Sequence, residues 1–236
     1  MGKETAIRPE AYARWRESEL GARTESLEKE AVFTLAGNLA GLRVLDVGCG
    51  DGAYPIHAAR LGATVTGLDI SPAMLDAARR HASAAGVSVE WREGRAEALL
   101  FEPASFDVVI AVTVLCWVTD RAAAVQEMAR VLRPGGIVVI GELGRYSLWA
   151  LAREAHFWTT DELRHLVQSG HLEFGAVRGG VYYQPSRLVA KWLVPLDSLL
   201  SRISPVGAAF LCVRADKPSP GSAREGLATS SLHSSS

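Results

Sequence analysis

The sequence predicts a doubly wound α/β domain, a mostly parallel sheet with helices on both faces. Three observations carry that reading. Short apolar runs alternate with helical segments from Arg43 to Ile140, and strict alternation of this kind builds parallel sheets with crossover helices. The run Phe106 to Val112 is apolar almost throughout, as in a strand covered on both faces. A glycine cluster, Gly48, Gly50 and Gly52, stands where the first strand turns into the first crossover helix.

The elements follow in order. Residues 1–41 are rich in Glu, Arg, Ala and Leu, with Leu27, Ala31, Leu35 and Leu39 at helical spacing. Gly21 is expected to divide this stretch into two helices. Arg43 to Val47 is a buried strand, and a helix runs from about Tyr54 to Leu61. Thr64 to Leu68 is the second strand. Ser71-Pro72 starts a helix, with Ser as cap and Pro in the first turn, and Gly86 stops it. Ser88 to Arg92 and Phe106 to Val112 are the third and fourth strands. Asp120 caps a helix ending near Leu132, Pro134-Gly135-Gly136 is a turn, and Ile137 to Ile140 is the fifth strand. Thr160 to Ser169 is a helix. Ala176 to Tyr183 and Ala208 to Ala215 are strands, separated by an apolar insert at 185–204. Residues 217–236, rich in Ser, Gly and Pro, read as a disordered tail.

Composition narrows the function. The 236 residues are 48% hydrophobic and 22% charged, as in a soluble globular protein. Lys+Arg 25 against Asp+Glu 26 gives a net charge of −1, which offers no broad footprint for nucleic acid. The three cysteines, Cys49, Cys116 and Cys212, show no metal-ligand spacing. They fit reduced thiols in a cytoplasmic protein. No signal peptide and no stable membrane insertion are expected.

The glycine segment reads Val44-Leu45-Asp46-Val47-Gly48-Cys49-Gly50-Asp51-Gly52. Glycines there let the backbone approach a ligand, at the carboxyl end of a parallel strand where open sheets bind ligands. A tight structural turn is the alternative for the glycines alone. Asp46 would repel a pyrophosphate and suits a cationic ammonium. Asp69 ends the second strand, 19 residues after Gly50, and a carboxylate there accepts hydrogen bonds from a ribose diol. S-adenosylmethionine (SAM) carries both groups. A dinucleotide calls for GxGxxG, whereas the order here is GxGxG.

VLDVGCGDG, VTGLDIS, FDVVIAVTVLCWV and RVLRPGGIVVIGE, in that order, resemble the class I SAM-dependent methyltransferase family. Within it, the chain resembles the small-molecule branch of quinone-biosynthesis and malonyl-carrier-protein O-methyltransferases. The match covers residues 40–143. It implies a Rossmann-like doubly wound sheet of seven strands, the last antiparallel and inserted beside the fifth. It places 42–216 in the methyltransferase domain behind an N-terminal helical lid, 1–41, with a small helical cap. By the same resemblance, Gly48, Cys49 and Gly50 lie against the methionine part of SAM, and Asp46 orients that region. Asp69 holds the ribose and Ile70 packs on adenine. Met74 is either a further adenine contact or a core residue. Arg95 stands where relatives carry an acidic residue, so it stacks on the ring or points to solvent, while the backbone of Ala96 meets the adenine edge. Glu97 reads as a surface helix-start residue, with a ligand as the alternative.

In this fold the segment after the fourth strand, Val112 to Trp117, faces the methyl group and is mostly apolar. It lacks the Asn-Pro-Pro-Tyr signature of enzymes that methylate nucleobase or glutamine nitrogen, which favours O-, C- or S-methylation of a small, apolar or aromatic acceptor. Methyl transfer needs alignment above all and a base only when the acceptor must lose a proton. His156 and Tyr146 are the candidates for that role, each also readable as a non-catalytic residue. Cys116 reads as an inert thiol. Tyr12 and Trp15, on one helix face, either close over SAM or pack as surface helix. A catalytically silent SAM-binding regulator is the alternative reading of the whole chain. No metal is implied, and oligomeric state is open.

Overall fold

A computed structural model describes residues 18–145, 157–182, 200 and 204–219. Tyr12, Trp15, Tyr146, His156, most of the 185–204 insert and the segment from 220 onward lie outside the described residues.

The described elements are α1 (Glu19–Ala36), β1 (Arg43–Val47), α2 (Ala53–Arg60), β2 (Thr64–Asp69), α3 (Pro72–Ala85) and β3 (Glu90–Glu93). They continue with β4 (Phe106–Val112), α4 (Arg121–Val131), β5 (Leu132–Leu143), α5 (Thr160–Ser169), β6 (Glu173–Gly180) and β7 (Phe210–Asp216). The seven strands form one sheet in the order β3-β2-β1-β4-β5-β7-β6. β3, β2, β1, β4 and β5 run parallel, and β7 inserts antiparallel between β5 and β6. The strand order reverses direction at β1 and β4, so the crevice beside their carboxyl ends is the topological switch point where open α/β sheets bind ligands.

Side-chain alternation divides the core in two. Leu45, Val47, Val109 and Ala111 face one layer, where Met128 of α4 and Leu163 and Val167 of α5 cover them. Val44, Val108 and Ile110 face the other, beneath Val32 of α1 and Tyr54 and Ala58 of α2. Helix ends follow local chemistry. The Ser71 hydroxyl accepts from the Met74 amide at 3.4 Å and Gly86 closes α3 in the left-handed region, φ 68°. Asp120 accepts from the Ala123 amide at 2.9 Å.

Three expectations change. Gly21 does not divide the N-terminal helix. It lies in the first turn of α1, where its amide donates to the capping Ser18 hydroxyl at 3.1 Å. A glycine there costs little because the cap already satisfies its orphan donor. β5 is longer than its apolar stretch, because Leu132 pairs with Phe106 at one end and Leu143 with Phe210 at the other. Lys217, the first residue of the expected tail, pairs through its own backbone with Gly135 and Gly136 of β5, and its Nζ donates to the Ala129 and Leu132 carbonyls at 2.7 and 2.6 Å. Among the described residues no helix is long and apolar enough to cross a membrane.

Candidate functional site

The carboxyl ends of β1, β2 and β4 surround a cavity of about 530 Å³. One wall is the glycine turn with the ends of β2 and β3. The other is the loop after β4.

The glycine turn is built largely from main-chain bonds. The Gly48 and Cys49 amides both donate to the Leu68 carbonyl, at 2.7 and 2.9 Å. The Gly50 amide donates to Asp69 Oδ2 at 2.8 Å, and the Ser71 amide to Asp69 Oδ1 at 2.9 Å. Asp69 thus ties the turn to the end of β2. Each carboxylate oxygen still has a lone pair free for a ligand hydroxyl. Gly48 and Gly50 adopt φ of +73° and +53°, which only glycine takes readily. A Cβ on Gly50 would meet nothing within 4 Å, whereas one on Gly48 would stand 2.4 Å from Val114 Cγ2 of the opposite wall. The two walls therefore touch at a residue that has no side chain.

Gly48, Cys49, Gly50, Asp69, Ile70, Met74, Arg95, Ala96 and Val112 all line the cavity. Ile70, 58% exposed, stands at its rim. Arg95 pairs with Glu97 at 3.3 Å, and Glu97 lines the cavity as well. Glu97, read from sequence as a surface residue, is therefore brought to the site beside Arg95.

Asp46 does not line the cavity. It is buried, its Oδ2 has no hydrogen-bond partner among the described residues, and burial followed by the Asp69 charge holds its carboxyl well above the usual carboxylate range. Asp46 lies in the interior behind the turn, where burial disfavours its charged form, and does not face the cavity. Sequence placed it correctly on β1, but the pleat set its side chain away from the opening.

The second wall is Val112, Thr113, Val114, Trp117 and Val118. Thr113 adopts φ +50°, uncommon for a β-branched residue and of the kind that gathers at functional sites. Its amide donates to the Gly141 carbonyl at 2.7 Å. Trp117 is 58% exposed beside the cavity. Behind this loop sits Glu142, fully buried, with Oε1 accepting from the Leu115 amide at 2.8 Å. Burial pushes its pKa up to about 8, opposed by the Leu115 amide, Arg121, the Val114 amide and the Trp158 indole. Cys116 is half-buried, donates to the Thr113 carbonyl at 3.4 Å, and its thiol is pushed up to about 12 by burial and the Glu142 charge. It is not an activated nucleophile.

Sequence reasoning missed Tyr54 and Val118 as lining residues, and Glu142 behind them. Tyr54 had a signal in its place, two residues past the last glycine at the start of α2. Glu142 had one too, a lone carboxylate closing an apolar strand.

The residues present fit SAM. Asp69 keeps lone pairs for a diol, the open inner face of Gly50 admits close main-chain approach, and Ile70, Met74 and Ala96 offer an apolar seat for a flat base. When bound, the cofactor supplies a sulfonium methyl for in-line displacement, and the chain's contribution is to hold and align the partners.

Comparisons with known proteins agree with this reading of the fold and of the class of enzyme. The family described as a methyltransferase domain matches residues 45–140. A ubiquinone biosynthesis O-methyltransferase of Methylobacterium sp. (strain 4-46) is 34% identical over 180 residues, 69% of this chain and 71% of that protein. One of the same name from Paracidovorax citrulli is 38% identical over 171 residues, 64% of this chain and 72% of that protein. Among solved structures, a SAM-dependent methyltransferase of Thermotoga maritima, described as a possible histamine N-methyltransferase, superposes with a TM-score of 0.67 at 25% identity, covering 88% of this chain and 95% of that one. A SAM-dependent methyltransferase of Mesorhizobium loti gives a TM-score of 0.61 at 22% identity, covering 80% and 96%, and shows likeness of fold. Fold and site thus define a SAM-dependent methyltransferase. The chain belongs to the class I family of these enzymes, in the branch that resembles the quinone-biosynthesis O-methyltransferases.

Proposed function

We propose that this methyltransferase acts on an oxygen of a small acceptor bearing an aromatic hydroxyl. The observation that carries the reading is the composition of the second wall: Val112, Val114 and Val118 with a half-open Trp117. Such a wall favours a flat apolar ring over a charged or extended acceptor, since aromatic pairs gain beyond their buried area. The names of the curated relatives support oxygen as the methylated atom. In this reading Asp69, Gly50, Ile70 and Met74 hold the cofactor, Glu97 and Arg95 border its base, and the Val112–Val118 loop aligns the acceptor. The assignment of Tyr12 and Trp15 to a lid, and of His156 or Tyr146 to a base, belongs to the same proposal.

Methyl transfer from radiolabelled SAM to a panel of phenols and catechols, with aliphatic carboxylic acids and histamine alongside, tests it. Label on phenolic oxygen is the expected outcome. Label on histamine, or on aliphatic acids alone, would overturn the aromatic-hydroxyl reading while leaving the methyltransferase standing.

A further inference from the structure

Among the described residues Glu142 and Asp46 are the buried acids, and none of the Glu142 surface is exposed. Nothing about holding β5 in the sheet requires it, because its backbone pairs with Leu211 of β7 as any residue's would. Burying a carboxyl costs free energy unless its oxygens are engaged, so its partners indicate what it is for. Its amide partners, Leu115 and Val114, belong to the loop after β4, and the Trp158 indole and Arg121 face it from outside that loop. Oε1 takes the Leu115 amide at 2.8 Å. Arg121, at the start of α4, donates through Nε to the Leu115 carbonyl at 3.0 Å and lies over the Trp158 ring at 5.2 Å. Leu115 is thereby held at both its amide and its carbonyl, and its side chain is fully buried. Val114 on one side of it abuts Gly48, and Trp117 and Val118 on the other line the cavity.

We propose that Glu142 is a positioning residue for methyl transfer: its buried carboxyl, with Arg121, locks Leu115 and so sets the Val114–Val118 wall against the glycine turn. That wall's role as the acceptor side rests on the function proposed above, but the lock itself does not. The groups facing Glu142 are Arg121 from α4, Cys116 from the loop and the Trp158 indole. With the thiol pushed up to about 12, Glu142 is the group of this set that titrates between pH 5 and 9. A carboxyl that sits near 8 when the lock is closed and near its ordinary value when water reaches it makes opening easier as pH rises through that window, and no easier above it.

Amide hydrogen exchange of the full chain reads this directly, with S-adenosylhomocysteine binding measured beside it. In Glu142→Ala the Leu115 amide is expected to exchange at least tenfold faster, while amides in the middle of β1 and β4 keep their rates and the S-adenosylhomocysteine Kd moves less than threefold. Glu142→Gln, which retains a carbonyl for the Leu115 amide, is expected to restore most of the protection. In the unsubstituted protein, protection at Leu115 corrected for intrinsic exchange falls from pH 6 to 8 and then levels, and in Glu142→Gln it is flat. Should Glu142→Ala fail to fold, Arg121→Gln releases the same residue from its carbonyl side and gives the same local acceleration. Unchanged Leu115 exchange in these variants, acceleration spread evenly over the whole sheet, or a pH-independent profile would each overturn the proposal. None of these readouts depends on which acceptor the enzyme uses.

Discussion

The two walls of the cavity each hang on a carboxylate, and the two carboxylates work under opposite conditions. Asp69 is half-buried beside the cavity and takes two main-chain amides, at 2.8 and 2.9 Å. Glu142 is sealed in the interior behind the loop after β4, with the Leu115 amide at 2.8 Å from Oε1, and burial drives it toward the neutral form. The first wall presents an anion and bare backbone to its ligand. The second presents apolar side chains and keeps its acid out of sight. In the proposed function the first side holds the cofactor by hydrogen bonds fixed by the chain path, and the second holds the acceptor by shape, maintained from behind.

The contact between the walls is the place to break this comparison most severely. Gly48→Ala places a Cβ at 2.4 Å from Val114 Cγ2 and 2.7 Å from Val114 Cβ, on a backbone with φ +73°. Left-handed strain and overpacking together should cost about 2–5 kcal/mol, with loss of S-adenosylhomocysteine binding in calorimetric titration. Adding Val114→Ala should recover only part of the stability, because the Val114 Cβ remains in the way.

Next is the pH response of the hidden acid. A carboxyl whose folded value is raised above its unfolded value contributes stability fully below the unfolded value and loses it as pH rises to the folded one. For Glu142 that window runs from the ordinary 4.5 to about 8. The stability of Glu142→Gln relative to the unsubstituted protein should therefore improve by about 2–3 kcal/mol between pH 6 and 8 and no further above. Urea titrations at three pH values check this. A constant gap would mean that the carboxyl does not change charge on folding.

Asp69→Asn sharpens the comparison from the other side. The amide has one oxygen where the carboxylate has two, so one of the Gly50 and Ser71 amides loses its acceptor. The loss should weaken S-adenosylhomocysteine by about tenfold to a hundredfold, with the Leu115 amide unaffected in hydrogen exchange. Arg95→Ala should do least, changing S-adenosylhomocysteine affinity by about threefold at most, because the Arg95–Glu97 pair is exposed and such pairs contribute little. A large loss there would make the guanidinium a direct contact to the base.

Much of the fold was legible in the sequence because each strand and helix announced itself by period and punctuation. β4 and α5 matched their expected ends, Phe106–Val112 and Thr160–Ser169, since apolar continuity bounded one and a Thr159–Glu162 capping box the other. β5 was under-read. Its full length depends on partners at Phe106 and Phe210 that are distant in the chain. The glycine-turn wall of the cavity was legible for the same local reason: glycines, Asp69, Ile70 and Met74 lie on consecutive pieces of β1, β2 and α3.

By itself the sequence determined the sheet class, the glycine turn and the carboxylate that serves it, because close spacing along the chain already forces those groups together. Tertiary structure alone decided the direction of Asp46, the approach of Val114 to Gly48, and the pairing of Glu142 with an amide 27 residues earlier. Those depend on which face of the pleat a side chain takes and on how two loops from separate strands meet. Burial then decides the charge of an acid, and no local pattern carries that information.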